Sequence, residues 1–107
     1  MQLRGAIEQL DREWELETGF FGLLRSGTFD QERADKVISI LQVLASDVSQ
    51  DSTADALDRR LVELTWFIPL FMSWQRGRIE QLGGDLRGFD DTVDAVVSLL
   101  QRILGVP

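Results

Sequence analysis

An all-α fold is what this sequence predicts. Apolar residues recur at spacings of three, four and seven along most of its length, and no segment shows the period of two that marks a half-buried strand. Glycine, serine and aspartate clusters divide the chain into four such stretches. With 107 residues, 44% of them hydrophobic and 27% charged, one domain spanning 1–107 with a packed core is expected, and no low-complexity tract or internal repeat suggests a second.

The first helix is expected from about Gln2 to Arg25, because Leu3, Ile7, Leu10, Trp14, Phe21 and Leu24 fall on one helical face. Ser26-Gly27 supplies its stop. Leu16, Phe20 and Leu23 form a second stripe beside the first, so the last turns are expected to be buried or to be a contact surface. Gly19 and Gly22 would let another backbone approach closely there, with a break at Gly19 as the alternative. Glu17 is out of place, since the continuing stripe calls for an apolar residue and a charge is costly to bury unless paired.

The second helix should open at Asp30, whose carboxylate can accept from an unpaired amide of the first turn. It should run to about Ser46, burying Ala34, Val37, Ile38, Leu41, Leu44, Ala45 and Val48. The polar stretch Ser46 to Thr53 reads as the longest connection. Ser52 or Thr53 would cap a third helix carrying Leu57, Leu61, Leu64, Ile68, Phe71, Ile79 and Leu82. Pro69 interrupts it: lacking an amide for the carbonyl of Thr65 and crowding that carbonyl, it implies a kink or two helices meeting near Ile68. After Gly83-Gly84, a fourth helix is expected from Asp90 or Asp91 to Leu104, with Val93, Val96, Val97, Leu100, Ile103 and Leu104 inward and Gly105 as the stop. Four helices joined by mostly short turns favour an antiparallel four-helix bundle with a proline kink or break in its third helix.

The residue types that are missing narrow function more than those present. There is no cysteine, histidine or tyrosine and one lysine, Lys36. Disulfides, thiolate or imidazole metal sites and the serine-histidine triad are therefore impossible. An enzyme would have to work through carboxylates or a carboxylate-bound hard cation. The i,i+3 pairs Glu8/Asp11, Glu32/Asp35, Asp55/Asp58 and Asp91/Asp94 are the candidates. A hairpin around Gly27 would hold Glu8 and Glu32 about 20 Å apart, and acids in first turns also serve the helix dipole. No cofactor, metal or catalytic residue is assigned, and a non-enzyme is expected.

The formal charge of −7 resides in the first half of the chain, where residues 1–58 hold twelve acids against five bases, while residues 59–107 hold six of each. This disfavours nucleic acid and favours a basic protein partner. The N-terminus lacks the uninterrupted apolar stretch of a signal peptide, so a cytoplasmic location is expected. The most apolar run, Leu64 to Trp74, has eleven residues, short of the roughly twenty of a membrane span.

Three groups of side chains are candidate contacts with a partner. Glu13, Glu15 and Glu17 give the first helix an acidic side next to Trp14 and Phe20. Asp51, Asp55 and Asp58 add acids around the start of the third. Trp74, with Arg76 and Arg78, has the tryptophan and arginine make-up of an interface hot spot, although an all-round apolar run from Trp66 to Trp74 is first of all expected to be core.

Through acids such as Glu13, Glu15, Asp51, Asp55 and Asp58 at expected helix surfaces, the chain resembles, in class, the small acidic all-helical immunity proteins with which bacteria neutralise toxins. The resemblance implies a stoichiometric inhibitor that covers a basic toxin, with acids steering association and apolar anchors slowing release. It transfers no functional residue. The alternative is a homo-oligomeric adaptor bundle, a homodimer for example, that uses the tryptophan-rich segment. A carboxylate-metal-dependent nucleotide hydrolase comes third.

Overall fold

Six α-helices and no strand make up residues 3–50 and 59–105, the part of the chain that the computed structural model describes. They are α1 (Leu3–Arg12), α2 (Phe20–Arg25), α3 (Gln31–Gln50), α4 (Arg59–Thr65), α5 (Ile68–Gln81) and α6 (Leu86–Leu104). The longest two, α3 and α6, pack most extensively on each other, α1 lies against α3 and α4, α5 against α6, and α2 bridges α3 and α5. Among the described residues no helix is long and apolar enough to cross a membrane.

The first helix is not continuous but two helices, the second capped at Gly19, which is the alternative break expected there. Its backbone tightens at Glu13, Trp14 and Glu15, whose amides donate to Leu10, Asp11 and Arg12 three residues back, and the chain then turns through residues 13–19 before α2 begins. Gly19 and Gly22 are the residues that make this turn possible. A Cβ on Gly22 would lie 1.8 Å from the Glu15 carbonyl oxygen and one on Gly19 2.2 Å from that of Glu13, so the backbone that approaches them closely is the chain's own turn. The turn still leaves the apolar face in use. Ile7, Leu10, Phe21 and Leu24 are buried, and Trp14 stacks on Phe21 at 4.3 Å and edge-on to Phe71 at 5.0 Å. Leu16, expected on the second apolar stripe, is instead carried outward.

Glycine also ends α2. Gly27 sits at φ +84°, its amide donates to Leu24 and that of Thr28 to Leu23, which satisfies carbonyls that the helix leaves open. Asp30 caps α3 as expected, accepting from the Arg33 amide at 3.1 Å. This helix runs to Gln50 rather than Ser46, and the side chain of Val48, expected on its buried face, lies outside the described residues. Its buried side is Ala34, Val37, Ile40, Leu41, Leu44 and Ala45. The expected cap at Ser52 or Thr53 lies outside the described residues.

The third expected helix breaks where Pro69 predicts. Helix α4 ends at Thr65, Trp66 and Phe67 form the junction, and Pro69 falls in the first turn of α5, where a missing amide costs least. The last helix begins earlier than its aspartates suggest. Asp85 caps α6, its carboxylate accepting from the Gly88 amide at 2.9 Å, so Asp90 and Asp91 lie inside the helix. Its buried side is Phe89, Thr92, Val96, Leu99, Leu100 and Ile103, with Val93, Val97 and Leu104 half-buried.

Gly22→Ala is expected to lower stability by about 3 kcal/mol, because a backbone carbonyl cannot yield as a side chain would. Gly77→Ala in α5, whose Cβ would meet nothing within 4 Å, is expected to raise it by roughly 0.5 to 1 kcal/mol. Urea unfolding of the two variants measures both.

Candidate functional site

Two exposed features gather the candidate contact residues, and the first is the 13–19 turn. Glu13 anchors it. Only 3% exposed, it accepts from the Phe20 amide through its carboxylate at 3.0 Å and from the Phe21 amide through its carbonyl at 2.9 Å, so it supplies partners for two amides at the start of α2. Its other carboxylate oxygen lies 3.8 Å from Nζ of the largely exposed Lys36. The expectation that Glu13 belongs to an exposed acidic side is thus corrected: the carboxylate is turned inward because it caps a helix and pairs with the chain's one lysine.

Two further contacts fix the turn. The Glu15 carbonyl accepts from the Gly19 amide at 3.0 Å, and the Arg33 guanidinium donates to the Thr18 carbonyl. Between these points Glu15, Leu16 and Glu17 face solvent, Leu16 with 65% of its surface exposed. Glu17, the acid that seemed misplaced on an apolar stripe, is exposed because the stripe ends before it.

The second feature is the α4–α5 junction. Ile68, Phe71 and Met72 are core, but Trp66 at 62%, Leu70 at 46% and Trp74 at 61% are exposed, so the all-core expectation holds for one side of the segment only. Half-buried Phe67 links the two tryptophans, its ring centroid 5.4 Å from that of Trp66 and 5.3 Å from that of Trp74. At the Trp66 end, Glu63 takes Arg59 and Arg60 at 3.3 Å each and Arg60 reaches Asp11 at 2.8 Å. The hydrogen bonds to Asp11, then those to Glu63, raise the Arg60 pKa further. Behind them a shallow cleft of about 290 Å³ is lined by Asp11, Trp14, Arg25, Arg60, Glu63, Leu64 and Phe67.

The arginines beyond Trp74 are not simply displayed. Arg76 grips Asp90 of α6 with two hydrogen bonds of 3.0 and 2.9 Å, and Arg78 donates to the Arg25 carbonyl at the end of α2 at 2.5 Å. Asp51, Asp55 and Asp58 lie outside the described residues. Among those described, no three acids gather closely enough to hold a metal ion. Trp66 is a contact candidate that sequence reasoning did not single out; Leu16 was read only within a stripe that is either buried or a contact surface, and its 65% exposure favours the second.

Glu13→Ala is expected to cost about 2 to 3 kcal/mol by leaving the Phe20 amide without its partner, whereas Glu13→Gln, which keeps an acceptor, should cost about 1 kcal/mol. Lys36→Ala should change stability by less than about 1 kcal/mol, as for exposed ion pairs generally. Chemical denaturation of the three variants tests this order. The Arg76 hydrogen bonds hold the Asp90 carboxyl below the ordinary carboxylate range, so the pair's contribution is present above that range and fades as pH falls through the lowered value. Arg76→Ala should move the Asp90 midpoint upward in an NMR titration.

No family model, curated protein or solved structure matches this chain.

Proposed function

We propose that the chain is a protein-binding domain of the stoichiometric inhibitor or immunity type, acting in the cytoplasm on a basic protein that it recognises through the 13–19 turn. The observation that carries this reading is Leu16, a large apolar side chain left exposed between exposed Glu15 and Glu17 on a backbone held by Glu13, Gly19 and Arg33. A loop already fixed in the free protein loses little entropy on binding, which leaves more of its contact energy as affinity. The two acids would steer a basic partner, and Leu16 would fill an apolar recess on it and slow release. The formal charge of −7, carried by residues 1–58, supports the same choice of partner, and Asp51, Asp55 and Asp58 are proposed to extend the acidic surface. The scaffold for this reading is an antiparallel four-helix bundle in which α1–α2, α3, α4–α5 and α6 each take one place.

Affinity capture from the source organism's lysate at low salt, followed by a high-salt wash and mass spectrometry, is expected to return one basic protein released by salt. With that protein in hand, the double change Glu15→Lys and Glu17→Lys should slow association at least about tenfold and flatten its salt dependence, while Leu16→Ala should mainly quicken dissociation. Binding unchanged by both would exclude the turn as the contact surface.

A further inference from the structure

The apolar line on the α4–α5 junction is symmetric about Leu70 in its spacing. Trp66 and Trp74 stand four residues either side of Leu70, and Glu63 and Gly77 seven either side. The helical path persists through the junction on this side: the Trp66 amide donates to Val62 at 3.0 Å, Phe67 keeps right-handed helical dihedrals, and the Phe71 amide donates to Phe67 at 2.9 Å. Residues four apart therefore share one edge, and the Phe67 ring joins its two ends. A line that reads alike in both directions is complementary to its own copy turned through a two-fold axis.

We propose that this face binds a second copy of the chain, as an isologous antiparallel pairing with its two-fold axis at Leu70. In that register Leu70 meets Leu70, each Trp66 meets the other copy's Trp74, and each Glu63 comes to Gly77 with Arg78 next to it.

Three further observations favour a second copy over other occupants. Residues 59–82 hold four arginines against two glutamates, so the acidic charge of the chain lies elsewhere and this strip does not attract a basic partner. Gly77 has no reason for being glycine within its own chain, since a Cβ there would meet nothing within 4 Å and a glycine inside a helix is unfavourable by about 1 kcal/mol relative to alanine. On the surface facing another helix it permits close approach. The two tryptophans, Leu70 and Phe67 together expose roughly 400 Å² of apolar surface, taking large aromatic side chains at 150 to 250 Å² each. A stable interface covers about 800 Å² on each partner, so the patch makes its centre and the charged ends its rim.

Because the chain has no cysteine, single cysteines report the register directly. Sedimentation equilibrium of the whole chain should show a monomer–dimer equilibrium. Trp74→Ala and Leu70→Glu, both at exposed positions and checked for unchanged unfolding curves, should weaken it at least about tenfold. Under mild oxidation Leu70→Cys should cross-link to itself, because the axis places its two copies within the short Cα separation of about 4.4 to 6.8 Å that a disulfide needs. Glu63→Cys and Gly77→Cys should each remain monomeric in non-reducing gels and cross-link to one another when mixed. A chain that stays monomeric at millimolar concentration overturns the proposal. So does a dimer indifferent to Leu70→Glu, or one in which Glu63→Cys links to itself. The Glu15→Lys and Glu17→Lys changes should leave the dimer intact, so failure here and failure of the basic-partner reading are separate results.

Discussion

The buried carboxylate of Glu13 is the constraint on which this arrangement turns. A chain that ends one helix and starts another within seven residues leaves amides at the second helix start without partners, and burying them unpaired would cost about 1 to 3 kcal/mol each. Glu13 answers two of them, one with its side chain and one with its carbonyl, while Lys36 offsets its charge from the solvent side. Gly19 and Gly22 are the necessary complement, because only residues without a Cβ let the Glu13 and Glu15 carbonyls come so near. The turn that results lays Trp14 between Phe21, on which it stacks, and Phe71, which it meets edge-on, tying the first helices to α5.

The same turn shows where sequence reasoning reaches its limit. Helical class, most of the buried face of α3 and the break at Pro69 were legible, because periodicity and a missing amide act locally. By contrast, α6 turns Phe89, Thr92 and Leu99 inward and leaves the expected Val93, Val97 and Leu104 half-buried, and α3 buries Ile40 more fully than the expected Ile38. The turn after Arg12 was legible only as the alternative break at Gly19, since Leu10, Trp14, Phe21 and Leu24 keep helical spacing straight through it. Three alternating glutamates read as one solvated side; in the structure one caps a helix and two face water. Local signals did exist: a charge at Glu17 where the stripe required an apolar residue, and two glycines three apart. The start of α6 was misplaced for a related reason. Asp85, Asp90 and Asp91 are equivalent as caps in composition, but Gly88 distinguishes Asp85, since a Cβ there would lie 2.4 Å from the capping carboxylate.

The tryptophan-rich run was ambiguous for another reason. A segment apolar on every side has no preferred inward face, so its sequence cannot say which residues the fold will cover. Packing decided: α5 turns Ile68, Phe71 and Met72 inward toward the core and leaves Leu70 and Trp74 outside, as the junction before it leaves Trp66. Exposure of two tryptophans on one line is unusual for a surface that meets only water, and the polar groups bordering it are those that rim interfaces rather than those that break them up. Arg76 and Arg78, read from sequence as possible contacts, are partly spent within the chain, joining α5 to α6 and to the end of α2.

The two proposed surfaces are separated by charge as well as by chemistry, and this determines how they would respond to solution conditions. An acid-steered contact gains from low salt, because attraction between exposed charges reaches only about 8 to 10 Å at physiological ionic strength. Pairing of two copies, each of formal charge −7, is opposed by the same field and gains when salt screens it. The apolar contact between the tryptophan lines is largely indifferent to screening. Raising salt would therefore release the basic partner while holding the two copies together, and a dimer would present two acidic turns at once. Two turns on one body bind a partner with repeated sites more tightly than either alone, provided their spacing permits both to engage. Acidic residues in the first half and a balanced second half thus allow one small fold to attract a basic protein without repelling its own kind at the face where it would pair.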